Sequence, residues 1–243
     1  MAGRLLVRDL AALTTIGIFR MLTRAQLKAW HFQTVSDTVV RRFVDRMVER
    51  GFLGQERINR NGVQVLWLTQ AGADLLVDQA GVSRADLFPA RAAVAAKDFA
   101  HTIAIGDVAL AVALRGFRSD AMLPAWALQR AQAGRADVFP DLLCLARPLD
   151  GDPGAALAVE VDLGGEPIGS VLVPKTEKLA AFLAPYCGST LAILLLTVGS
   201  RRRAAIDHAL RKANISVPIS VEELGNFAGE SVRSKCSEPE RSD

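Results

Sequence analysis

In residues 8–20, apolar side chains fall at Leu10, Leu13, Ile16 and Phe19. That spacing follows one face of a helix. A second helix is expected from Thr23, because Thr23-Arg24-Ala25-Gln26 has the form of a capping box, in which the hydroxyl and the amide satisfy orphan backbone groups reciprocally. Leu27 and Trp30 give this helix an apolar face. After a short connector at residues 31–35, Ser36 is read as the N-cap of a third helix over residues 37–50, with Asp37 favourable against the helix dipole. Val40, Phe43, Val44, Met47 and Val48 share one face of it. Thr38, Arg42, Asp45, Arg46 and Glu49 project from the opposite face, with Arg41 on the flank. Gly51 is read as a left-handed cap.

The period then changes. Residues 52–58 and 63–68 are strand-like and are joined through Asn59-Arg60-Asn61-Gly62. Asn-Gly tolerates positive φ at both residues and marks a tight turn. Thr69 caps a further helix over residues 70–79. Helix, helix, helix, hairpin, helix is the order of a winged helix-turn-helix, expected over residues 1–82. Major-groove readout needs a helix that presents donors near its N-terminal end. Thr38, Arg41, Arg42 and Arg46 suit that task, and Arg57 and Arg60 on the hairpin can reach a flanking phosphate or the minor groove. Asp45 and Glu49 argue the other way, for a charged face that meets a protein.

Beyond a linker at residues 80–98, the pattern predicts helix over residues 98–117. Strands are expected at residues 125–132, 136–146 and 155–163, a helix at 175–183, and a fully buried aliphatic strand at 191–198. A helix at residues 202–214 and an extended piece at 215–221 follow. Residues 92–224 are expected to form an α/β domain, so the whole chain reads as α+β. Residues 225–243 are rich in Ser, Glu, Arg and Lys and are expected to be a disordered tail.

Composition narrows the picture. The chain has 243 residues with half of them apolar, enough for about two domains. No apolar run approaches the roughly 20 residues that span a bilayer, and Arg4, Arg8 and Asp9 break any signal-peptide core. The three cysteines are far apart, with no CxxC pair, which indicates neither a zinc site nor a disulfide framework. A cytoplasmic protein is expected. Residues 1–90 hold twelve Lys/Arg against eight Asp/Glu, and the remainder seventeen against eighteen. The basic excess therefore sits where a polyanion such as double-stranded DNA would be gripped.

The acidic residues cluster elsewhere. In Leu157-Ala158-Val159-Glu160-Val161-Asp162, strand alternation places Glu160 and Asp162 on one face. Asp141 lies on the preceding strand and could meet them. Three converging carboxylates need compensation. A hard divalent cation such as Mg²⁺, held by Asp141 and Glu160, would supply it, as would Lys175 or Lys178 on the following helix. A solvated edge pair is the simpler alternative.

To about residue 220 the chain resembles the replication-relaxation family of plasmids, phages and integrated elements. The resemblance rests on Thr23-x-x-Gln26-Leu27, Leu68-Thr69-x-x-Gly72, His101 before an aliphatic helix, Pro140-Asp141, Glu160-Val161-Asp162-x-Gly164, and Lys178. It implies a DNA-associated role in replication, mobilisation or transcriptional control of a mobile element. The second half also resembles the PD-(D/E)xK nuclease core, of restriction-endonuclease type. That resemblance implies Asp141 and Glu160 as the acids that hold Mg²⁺. The usual lysine, two residues after the second acid, is here Asp162. Lys178, or else Lys175, would have to supply the cation if Asp141, Glu160, Asp162 and Lys178 were catalytic. A degenerate core kept for DNA contact or dimerisation is the other reading. A homodimer on paired half-sites is expected, with no cofactor needed for DNA binding.

Overall fold

A computed structural model describes residues 5–58, 62–92, 96–115, 121–132, 137–145, 155–187, 191–213 and 215–229. Its first half runs α1 (Val7–Ile18), β1 (Leu22–Thr23), α2 (Arg24–His31), α3 (Asp37–Glu49), β2 (Leu53–Ile58), β3 (Val63–Leu68) and α4 (Gln70–Ala80). The strands form an antiparallel sheet in the order β1-β3-β2. The capping box forms: Thr23 Oγ1 accepts from the Gln26 amide at 3.1 Å and Gln26 Oε1 accepts from Thr23 N at 2.7 Å. Val40, Phe43, Val44 and Met47 of α3 are buried as the spacing predicts. Ser36 stands at the N-cap but its side chain makes no capping bond; Asp37 turns instead to Lys28 of α2. Gly51 has φ +73° and Gly62 φ +66°, while residues 59–61 of the expected turn lie outside the described residues.

The second half runs α5 (Ala96–Leu114), β4 (Met122–Pro124), α6 (Ala125–Ala131), β5 (Leu142–Leu145), β6 (Ala156–Asp162), α7 (Val173–Cys187), β7 (Leu191–Thr197), α8 (Ser200–Lys212), β8 (Ile219–Glu223) and α9 (Leu224–Ala228). Its five strands lie in chain order. β4, β5 and β6 are antiparallel, and β6, β7 and β8 are parallel. Parallel neighbours need crossovers, which α7 and α8 provide. The aliphatic run at β7 is buried almost throughout.

Two expectations fail here. The strand predicted over residues 125–132 is the helix α6; Ala, Leu, Gln and Arg there are strong helix formers, and the strand is the preceding Met122–Pro124. The predicted tail begins too early. Leu224–Ala228 is helical, Phe227 is buried, and the Arg115 guanidinium lies 3.9 Å from its ring centre.

The largest apolar cluster passes through both halves. It includes Leu13, Ile16, Phe43 and Leu68 from the first, and Val108, Val112, Val159, Leu194 and Phe227 from the second. Trp126 Nε1 donates to Ile18 O at 2.8 Å, and Arg130 donates to Ala85 O at 2.8 Å, so α6 fastens onto the first half as well. The fold is a mixed α+β arrangement with two sheets. Among the described residues no helix is long and apolar enough to cross a membrane.

Candidate nucleic-acid interface

The amphipathic pattern of α3 decides which side chains face water. Burying Val40, Phe43, Val44 and Met47 leaves Thr38, Arg41, Arg42, Asp45, Arg46 and Glu49 exposed. Arg57 is exposed on β2; Arg60 lies outside the described residues. Arg41, Arg42 and Arg57 form no ion pair among the described residues. Arg46 differs. Its Nη2 donates to Asp9 Oδ2 at 2.7 Å, and Asp9 is an almost fully buried carboxylate on α1.

Between α3 and the hairpin lies a cleft of about 320 Å³ lined by Arg24, Arg41, Asp45, Gln55, Glu56, Arg57 and Gln64. Arg24, missed in the sequence reading, enters from the first turn of α2 and donates to Gln64 Oε1 at 3.1 Å. Gln64 in turn bonds Gln55, and the β2–β3 register sets Gln64 opposite Arg57. The signal was present: a capping box fixes the residue after Thr23, and Gln55 and Arg57 share one strand face.

At the end of β6, geometry separates the predicted acids. Asp141 Oδ2 accepts from Val161 N at 2.8 Å. His101 Nε2 lies 3.1 Å from both Asp141 Oδ2 and Val161 O, so the proton on this nitrogen faces two acceptors. The bond to Asp141 raises the His101 pKa, with burial opposing it. Glu160 Oε2 lies 2.6 Å from Lys175 Nζ, while its buried Oε1 has no hydrogen-bond partner among the described residues. Burial and the charge of Asp141 push the Glu160 pKa upward, against the pull of Lys175. Burial would lower Lys175, but Glu160 and Asp141 more than offset it and hold it protonated.

Asp162 does not join this group. A residue two places along a strand is displaced by about 6.6 Å, and there Asp162 meets a different helix. Arg202 of α8 grips it at 2.5 and 2.9 Å, Thr197 donates at 2.7 Å, and Gly164 N at 3.0 Å. Burial raises the Asp162 pKa, but these donors together bring it below the usual carboxylate value. Lys178 is exposed one turn beyond Lys175, so Lys175, and not Lys178, is the cation on Glu160. Among the described residues no group of three His, Cys, Asp or Glu is placed to hold a metal ion. Each of the two acids expected to hold Mg²⁺ engages one oxygen within the chain, Glu160 Oε2 with Lys175 and Asp141 Oδ2 with Val161 N and His101.

The short motifs that carried the resemblance have structural work in common. Gln26 caps its own helix through Oε1, and its Nε2 donates to Ile103 O at 2.8 Å and Asp107 Oδ1 at 2.6 Å on α5. Burial raises Asp107 to about 7, with the Gln26 bond opposing. Thr69 Oγ1 accepts from Gly72 N at 3.1 Å, and a Cβ on Gly72 would stand 2.2 Å from Phe52 O. Gly164 has φ +92°, which lets its amide turn back onto Asp162. Searches of curated proteins and of solved structures found no significant match. The family model described as replication-relaxation matches residues 13–188, which takes in the capping box, the hairpin, α5 and the acids of β6, and the chain belongs to the replication-relaxation family.

Proposed function

We propose that this chain is a double-stranded DNA-binding protein that acts in replication, mobilisation or transcriptional control of a mobile element. On this reading α1 to α4 with the β2–β3 hairpin are a winged helix-turn-helix. α3 enters the major groove, and the hairpin steadies it on the backbone. A 13-residue helix is about 20 Å long, and the groove it must enter is about 12 Å wide. Family membership supports the replication setting.

One observation carries the proposal. Arg41, Arg42 and Arg57 are exposed on adjacent elements with no ion pair among the described residues, and Arg24 extends the same cleft. Arginines without internal partners are free to replace the counterions of phosphate. A dimer would place two such helices about 34 Å apart on one duplex face.

The test is fluorescence anisotropy with duplexes drawn from the element that encodes the protein, over a series of KCl concentrations. Affinity should fall steeply with salt, and the Arg41→Ala/Arg42→Ala protein should bind at least tenfold more weakly, about 1.4 kcal/mol or more. Retention of full affinity in that double variant would falsify the assignment of α3.

A further inference from the structure

Arg46 sits on the same exposed side of α3 as Arg42, one turn later, yet its guanidinium is already engaged. The Asp9 side chain is 2% exposed and that of Arg46 50%. Asp9 Oδ2 accepts from Arg46 at 2.7 Å and Oδ1 from Arg8 at 3.4 Å. Arg8 also lies 4.6 Å from the Phe32 ring centre. Arg46 is thus the closer of two cations on a carboxylate removed from water. Taking it away to hold a phosphate would leave that charge poorly compensated. The other end of α3 is tied as well, through Asp37 to Lys28 of α2. Ion pairs therefore bind α3 to α1 near its C-terminus and to α2 at its N-terminus.

We infer that Arg46 is a positioning residue: through Asp9 it sets the angle at which α3 presents Arg41 and Arg42, and it does not itself neutralise a phosphate. The inference rests on the DNA-binding reading above.

Salt dependence separates the two roles, because a side chain that neutralises one phosphate adds about 0.9 to the slope of log affinity against log salt. Full-length wild type, Arg42→Ala, Arg46→Ala, Arg46→Lys and the double variant Asp9→Leu/Arg46→Met would be titrated with one fluorescent duplex across KCl concentrations. Melting temperatures would be recorded in parallel. Arg42→Ala should lower the slope by about one. Arg46→Ala should lower the melting temperature and weaken binding while keeping the wild-type slope, and Arg46→Lys should recover part of both. Asp9→Leu/Arg46→Met removes the buried acid together with its partner. It should regain affinity to within about threefold, with the slope unchanged. If Arg46→Ala does not fold, the double variant decides alone. A slope lowered by about one in the double variant overturns the inference and makes Arg46 a phosphate ligand. A wild-type protein that binds no duplex at low salt removes the DNA-binding reading itself, and this inference with it.

Discussion

The exposed side of α3 and the end of β6 carry charge in opposite ways. On α3, Arg41 and Arg42 point to solvent with no ion pair among the described residues. At β6, Asp141, Glu160 and Asp162 are each matched by a group from another element: His101 from α5, Lys175 from α7 and Arg202 from α8. Charge without a partner, held in water, costs the fold little and remains available to a ligand. Charge under a sheet must be compensated within the chain, as these three partners do. Arg46 shows the first pattern giving way to the second inside a single helix, since a buried Asp9 claims it.

The largest way to break this contrast is Lys175→Ala. It leaves the Glu160 carboxyl buried with neither oxygen matched and should cost about 3 kcal/mol in urea unfolding. Glu160→Leu with Lys175→Met should cost clearly less than Lys175→Ala; an equal or larger cost would mean that packing dominates there. Next in size, Arg202→Ala should cost about 2 kcal/mol by uncovering Asp162. Arg41→Ala should instead move stability by less than about 0.5 kcal/mol, as for a surface site without internal partners. A melting temperature for Arg41→Ala as low as that for Arg202→Ala would erase the distinction between the two regions.

A smaller effect follows from Asp107. The folded chain holds its proton up to about pH 7, against an ordinary value of 3.8. The folded state therefore binds the proton more tightly, and stability from this group declines as pH rises from about 4 to about 7. Asp107→Asn keeps an acceptor for Gln26 and removes that slope. Chemical denaturation of both proteins at pH 4.5 and 7.5 should show a smaller decline in the variant, and identical declines would place the Asp107 carboxyl in ordinary solvent.

What was legible in the sequence was what depends on near neighbours. The α3 stripe, the Thr23 box, the Thr69 cap and the aliphatic β7 all arise from spacings within one or two turns, and all four formed. β1 and β4 were invisible because two or three residues carry no period, and each exists only through a distant partner, Leu22 on Leu66 or Met122 on Cys144. The same limit applied to the charges. Residue type and exposure could be read for Arg41, Arg42 and Arg57. Arg46 on Asp9, Asp162 on Arg202 and the choice of Lys175 over Lys178 depend on pairings between elements far apart in the chain. Reading Glu160 and Asp162 as one group treated a shared strand face as a shared place, and the length of the strand separates them.

α5 has a consequence of its own. It takes the Gln26 amide at Ile103 and Asp107, and its His101 reaches the Asp141 carboxylate less than two turns away. The helix is a strut bolted at one point to α2 and at another to the five-stranded sheet. A displacement of α2 would therefore be carried along α5 to the sheet, whatever its source.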